Sequence, residues 1–270
     1  MRKLKVGAIA VGALIAGPAL AADLPVKAPL APALAPFSWT GFYIGANAGY
    51  GWGDADTRFD PLPTAAGFIN LAPTVLDARP RGAFAGGQLG YNWQAGTIVY
   101  GIETDLQWSD INGTRVLSPI IQNSGLPFGA GSSLTTSEKL EWFGTTRLRI
   151  GFTPSNQWLI YATGGVAYGE LKLFANSDFR PVGTQQYPAS VSTTKVGWAA
   201  GGGTEWAFMN NWSAKVEYLA FDLGNTTATA NGVPGLPGGT CGGGPTAFCQ
   251  VRYTWKAFEQ IVRVGLNYKL

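Results

Sequence analysis

Phe42-Tyr43-Ile44-Gly45-Ala46-Asn47-Ala48-Gly49-Tyr50-Gly51-Trp52 alternates strictly. Phe42, Ile44, Ala46, Ala48, Tyr50 and Trp52 fall on one face of an extended chain. Tyr43, Gly45, Asn47, Gly49 and Gly51 fall on the other. A period of two is the signature of a β-strand with two unlike faces. The same pattern recurs along the chain, near 83–93, 97–109, 140–152, 157–169, 195–208, 212–222 and 258–270. Eight amphipathic strands are therefore expected.

The connections alternate in length. Gln94–Gly96, Pro154–Asn156 and Met209–Asn211 are tight turns. Residues 54–82, 110–139, 170–194 and 223–257 read as long loops, rich in Gly, Pro, Asn, Ser and Thr. An even number of strands, short turns at one end and long loops at the other is the plan of an outer-membrane β-barrel. The expected fold is all-β: an eight-stranded antiparallel transmembrane β-barrel with short periplasmic turns and four long extracellular loops. Ten residues rising ~3.3 Å each and tilted ~45° span about 23 Å, close to the ~25 Å apolar band of such barrels.

Tryptophan placement decides which face meets lipid. Trp93, Trp158, Trp206 and Trp212 sit on the apolar face at the short-turn end. Trp52, Trp108, Trp142 and Trp198 sit on it at the long-loop end. Two rings of amphipathic aromatics match two membrane interfaces. A soluble sandwich would turn its large apolar residues inward instead. The polar face then lines the interior, with Glu103, Asp105, Glu141, Glu205 and Glu217 beside Arg147, Arg149, Lys215 and Arg263. Eight strands enclose only enough room for side chains. These charges are expected to pair into a salt-bridged plug, with an ion pathway as the sharper alternative.

Composition removes several function classes. The 270 residues contain 38 Gly, 10 Trp, 2 Cys and no His. No Ser-His-Asp or Cys-His nucleophile can be built, and no His metal site. Two Cys cannot supply a four-thiolate zinc site. Gly201-Gly-Gly-Thr resembles a nucleotide loop only superficially, because no helix follows to hold phosphate. Neither a cofactor, a metal nor a catalytic residue is expected.

The N-terminal segment reads as an export signal over residues 1–21. Arg2, Lys3 and Lys5 form its positive head, Val6 to Ala16 its apolar stretch, and Ala19-Leu20-Ala21 its cleavage site. Its removal leaves 16 basic and 16 acidic residues from the original 19 and 16, a balanced chain with no nucleic-acid footprint. Four prolines make residues 22–38 an extended periplasmic linker ahead of the barrel at 39–270. In an oxidising compartment Cys241 and Cys249 are expected to close a short disulfide loop.

Several segments together resemble a known family. They are Ala22-Asp-Leu-Pro-Val-Lys-Ala-Pro29 with Phe37-Ser-Trp-Thr-Gly-Phe-Tyr-Ile-Gly-Ala-Asn-Ala-Gly-Tyr-Gly-Trp52, Trp142-Phe-Gly-Thr-Thr-Arg-Leu-Arg-Ile-Gly151, Tyr161-Ala-Thr-Gly-Gly-Val-Ala-Tyr-Gly169, Lys215-Val-Glu-Tyr-Leu219 and Val262-Arg-Val-Gly-Leu-Asn-Tyr268. The set resembles the small alphaproteobacterial outer-membrane proteins of the opacity-like "porin family", whose barrel is like that of OmpA. Leu270 departs from the Phe that commonly ends those chains. The resemblance implies a non-enzymatic protein of the cell outer membrane, a structural component or surface antigen. Its surroundings would be membrane lipid and lipopolysaccharide, and the β-barrel assembly machinery would insert it. The resemblance also leaves open a loop-mediated adhesin or ligand binder (host surface or haem) and a small-solute pore.

Overall fold

The computed structural model describes residues 37–62, 74–121, 125–127, 129–179, 185–234 and 250–270. Eight long strands carry the architecture: β1 (Gly41–Pro61), β3 (Arg81–Ala95), β4 (Ile98–Leu117), β5 (Ser133–Ser155), β6 (Trp158–Asp178), β7 (Gln185–Ala207), β8 (Trp212–Asn231) and β10 (Gln250–Lys269). Two short strands, β2 (Thr74–Asp77) and β9 (Val233–Pro234), pair with β1 and β7. Every long strand runs antiparallel to its sequence neighbours, and β1 pairs with β10 from Tyr43↔Lys269 to Pro61↔Val251. That last ladder closes the sheet into a barrel and removes its open edges.

The outer wall between the two tryptophan rings is apolar. Leu148 is 68% exposed and Trp108 70%, with Ile44, Leu89, Ile102, Ile150, Ile160, Val216 and Val264 also exposed. A contiguous apolar belt of this extent is intelligible only as a lipid-facing surface. Gly and polar residues face inward, where space is short. A Cβ at Gly197 would collide with the Asp222 carbonyl oxygen, and one at Gly86 with the Leu106 carbonyl oxygen.

Two expectations about the long-loop end are corrected. Most of the segments read as loops continue the strands. β4 extends to Leu117, β5 starts at Ser133, β6 extends to Asp178 and β10 starts at Gln250. Strands of about 20 residues, tilted ~45°, span roughly 46 Å, about twice the apolar band. The reason is legible in the alternation of these segments, which has the opposite sense. Leu171, Leu173 and Ala175 face inward on β6, while Glu170 and Lys172 face outward. Past the ring the wall stands in water, so apolar side chains turn in and charges turn out.

The second correction concerns the interior, which is not polar throughout. Ile111, Leu140, Phe143, Leu171, Leu219, Phe221 and Ile261 form a buried apolar septum at and beyond the level of the loop-end ring. Phe143 stacks on Phe221 at 5.2 Å and meets Phe84 edge-on at 5.2 Å. A β-bulge between Leu140 and Trp142 makes the septum possible. It sets Glu141 and Trp142 both toward the outside and reverses the alternation of β5. Leu140 therefore lies inside, not on the lipid face with Trp142.

Candidate functional site

Below the septum lies the one extended charge network among the described residues. Four carboxylates (Glu103, Asp105, Glu205, Glu217) meet four cations (Arg147, Arg149, Lys215, Arg263), all of them buried. The strands deliver them in register. Glu103 on β4 lies opposite Arg147 on β5, and Glu217 on β8 lies opposite Arg263 on β10. Pairs side by side in the sheet and pairs across the lumen therefore converge at one height.

Arg147 is the hub. Its Nη2 donates to Glu103 Oε1 at 2.8 Å and Asp105 Oδ2 at 3.0 Å, and its Nη1 donates to Glu217 Oε1 at 3.0 Å. Arg263 reaches the same three acids, at 3.1 Å, 3.0 Å and, through Nε, 2.6 Å. Lys215 Nζ donates to both oxygens of Glu103 at 2.7 Å. Arg149 donates to Glu205 Oε2 at 2.7 Å and lies 4.1 Å over the Tyr161 ring. Buried charge is tolerable only when each group is paired and its remaining hydrogen-bonding capacity is filled, which this mesh largely does.

Neutral side chains on the same inward face complete the mesh. Tyr43 donates to Glu103 Oε2 at 2.8 Å and Tyr161 to Glu217 Oε1 at 3.0 Å. Asn267 donates to Glu205 at 2.7 Å, Gln88 donates to Asn267 at 2.8 Å, and Asn47 pairs with Gln88. Thr145 holds Asp105 through its backbone N–H at 3.0 Å and its hydroxyl at 2.7 Å. Sequence reading did not assign these residues to the network. For Thr145 and Asn267 the signal available was parity, since they share the inward alternation of Arg147 and Arg263; Tyr43, Asn47, Gln88 and Tyr161 have no inward charge on their own strands.

Of the charged set drawn from sequence, Glu141 does not join the others. The bulge at Leu140/Trp142 turns it outward, where it pairs with Lys172 at 2.9 Å and Lys139 at 3.3 Å. The eight tryptophans all face outward. Trp93 stacks on Tyr100 and Trp158 on Trp206 at the short-turn end, while Trp108 pairs in register with Trp142 at the other. Trp142 Nε1 donates to Glu170 Oε2 at 2.9 Å. Cys241 and Cys249 lie outside the described residues.

The short-turn mouth is also sealed. Trp39, from the segment preceding β1, is 3% exposed and packs with Val99, Leu159, Tyr161 and Ala207. Its backbone N–H donates to Gln94 Oε1 at 2.8 Å, and Phe37 meets its ring edge-on at 4.9 Å. The charge network thus lies between an apolar cork and an apolar septum.

A closed barrel with an apolar outer belt, two aromatic rings and a paired polar interior defines an integral membrane β-barrel. The chain matches the outer membrane protein beta-barrel domain over residues 14–233. It is 37% identical over 267 residues to the 31 kDa outer-membrane immunogenic protein of Brucella melitensis, with 96% of each chain covered. It is 32% identical over 198 residues to the 22 kDa outer membrane protein of Rhizobium leguminosarum bv. viciae, covering 73% of this chain and 68% of that one. Among solved structures it aligns with the outer membrane protein OprG of Pseudomonas aeruginosa at 14% identity and a TM-score of 0.47, covering 87% and 99%. The chain belongs to the outer-membrane protein β-barrel domain family and is an integral protein of the cell outer membrane.

Proposed function

We propose that the protein is a non-catalytic, non-conducting wall element of the outer membrane that holds an extended β-cylinder at the cell surface. The supporting observation is the filled lumen. Arg147, 1% exposed, is bonded to Glu103, Asp105 and Glu217, with Trp39 sealing one side and the Phe143–Phe221 septum the other. A conducting pore needs a water column, and a hydrolase needs an acid or base that substrate can reach. The buried carboxylates of this network reach only cations and neutral donors of the barrel's own interior.

In this reading residues 1–21 direct export, residues 22–38 lead into the barrel, and membrane lipid and lipopolysaccharide surround the apolar belt. The short turns face the periplasm. The Brucella relatives are named as immunogenic, which fits surface display of the strand extensions. The test is conductance of the purified, refolded chain in planar bilayers. A silent bilayer is the expected result, and reproducible unitary steps would overturn the proposal. A second reading, ligand binding at the surface, draws on the length of the extensions. Trimming β4–β5 and β6–β7 back to the loop-end ring would abolish such binding and leave the barrel foldable.

A further inference from the structure

Beyond the septum, inside the strand extensions, two acids stand apart from everything described above. Glu138 lies on β5 between Gly113 of β4 and Leu173 of β6. Glu259 lies on β10 between Gly53 of β1 and Phe221 of β8. They are 1% and 0% exposed. Among the described residues, nothing donates a hydrogen bond to any of their four carboxylate oxygens. Both acids point into the same lumen, and a negative charge on Glu138 would be felt at Glu259.

No cation among the described residues relieves them. On the elements packed around the pair, Asp54 and Asp56 of β1, Asp110 and Arg115 of β4, Lys139 and Glu141 of β5, Lys172 of β6 and Lys256 of β10 are on the outer wall, and Asp222 of β8 is half-buried. Lys139 and Lys172 are committed to Glu141, and Asp54 adds negative potential at Glu259. This is the opposite of the membrane-level network, where every carboxylate meets a cation. Two ionised carboxylates in an apolar space would be strongly disfavoured, and neutralisation by proton uptake is the direct remedy. A hard divalent cation would want six or more oxygen ligands, and this space offers two carboxylates.

We propose that Glu138 and Glu259 form a proton-binding pair that sets how tightly the extramembrane cylinder is closed. The closed form is clamped just beyond them by two bonds across the lumen. Thr57 and Thr136 hydroxyls meet at 2.6 Å, joining β1 to β5, and the Tyr253 hydroxyl accepts from the Ser177 backbone N–H at 3.1 Å, joining β10 to β6. Thr136 is two residues from Glu138 on the same inward face, so charge repulsion at the pair loads the clamp directly. Burial pushes the Glu138 carboxyl up to about 8. A carboxyl raised in the folded state stabilises it fully below its unfolded value, loses that contribution as pH rises, and has none left above about 8.

Hydrogen exchange of the refolded full chain in micelles, corrected for intrinsic chemical rates, tests this. Between pH 5 and pH 9 the protection of 133–140, 171–178 and 250–259 is expected to fall about a hundredfold or more, while the strands between the rings stay unchanged. Glu138→Gln should reduce that fall, and Glu138→Gln with Glu259→Gln should abolish it. A wild-type protein with no fall would overturn the proposal. So would an undiminished fall in Glu138→Gln, the variant to rely on if the double variant does not fold. Rescue of wild-type protection at pH 9 by millimolar calcium, absent in Glu138→Gln, would also overturn it, because the pair would then be a cation site.

Discussion

Replacing Arg147 by Met tests whether the buried network holds the barrel together. The side chain is 1% exposed and donates to Glu103, Asp105 and Glu217 at 2.8–3.0 Å. Met fills much of the volume but removes the charge. Four carboxylates then face three cations. Breaking a buried pair by removing one partner costs about 3–5 kcal/mol. Arg263 still contacts all three acids and Lys215 still holds Glu103, so a loss near the lower figure, about 3 kcal/mol, is expected. A compensating change sharpens the test. Arg147→Met with Glu217→Leu restores the balance of charge and should be less destabilised than the sum of the two single variants by at least about 1 kcal/mol. Equilibrium urea unfolding in micelles, read by the heat-modifiable gel shift, gives all four corners of the cycle. A single variant within about 1 kcal/mol of wild type, or strict additivity in the cycle, would refute the reasoning.

Other perturbations separate the layers. Gly197→Ala drives a methyl into the Asp222 carbonyl oxygen at the loop-end ring, and should cost about 1–3 kcal/mol in the same unfolding assay. Thr57→Val deletes the bond to Thr136, with an expected loss of about 1 kcal/mol and faster hydrogen exchange confined to the extensions. Trp39→Ala uncorks the short-turn mouth and should cost about 3 kcal/mol, yet its bilayers should stay silent because the network and septum still fill the lumen. Unitary currents in that variant would mean that the cork alone blocks conduction.

How far a strand could be read from sequence depended on its alternation. β1 and the membrane part of β10 alternate without interruption, and the expected faces of Ile44 and Val264 match their exposure. In β5 the alternation alone puts Leu140 and Glu141 on the wrong faces, because one extra residue in a bulge shifts every side chain beyond it to the other face. No composition signal marks that residue; the bulge exists only in relation to β4 and β6. The strand extensions were hidden for a related reason. Their polarity is inverted relative to the membrane segments, and Thr- and Asn-rich stretches such as 224–231 look like loop. Glu138 lies inside such a segment and Glu259 just past one, so nothing in the local pattern sets either apart.

Periodicity and tryptophan placement were enough to establish a membrane barrel, its strand directions and its lipid face. They depend on local pattern and on the solvent that each face meets, and both are written residue by residue. Which charges meet which is another matter. Glu103 finds Lys215 and Arg263 more than a hundred positions away. Those pairings depend on register and closure summed around eight strands. The filled lumen, the inward turn of Leu140 and the isolation of the Glu138–Glu259 pair all follow from that closure, and none of them is a property of a single segment.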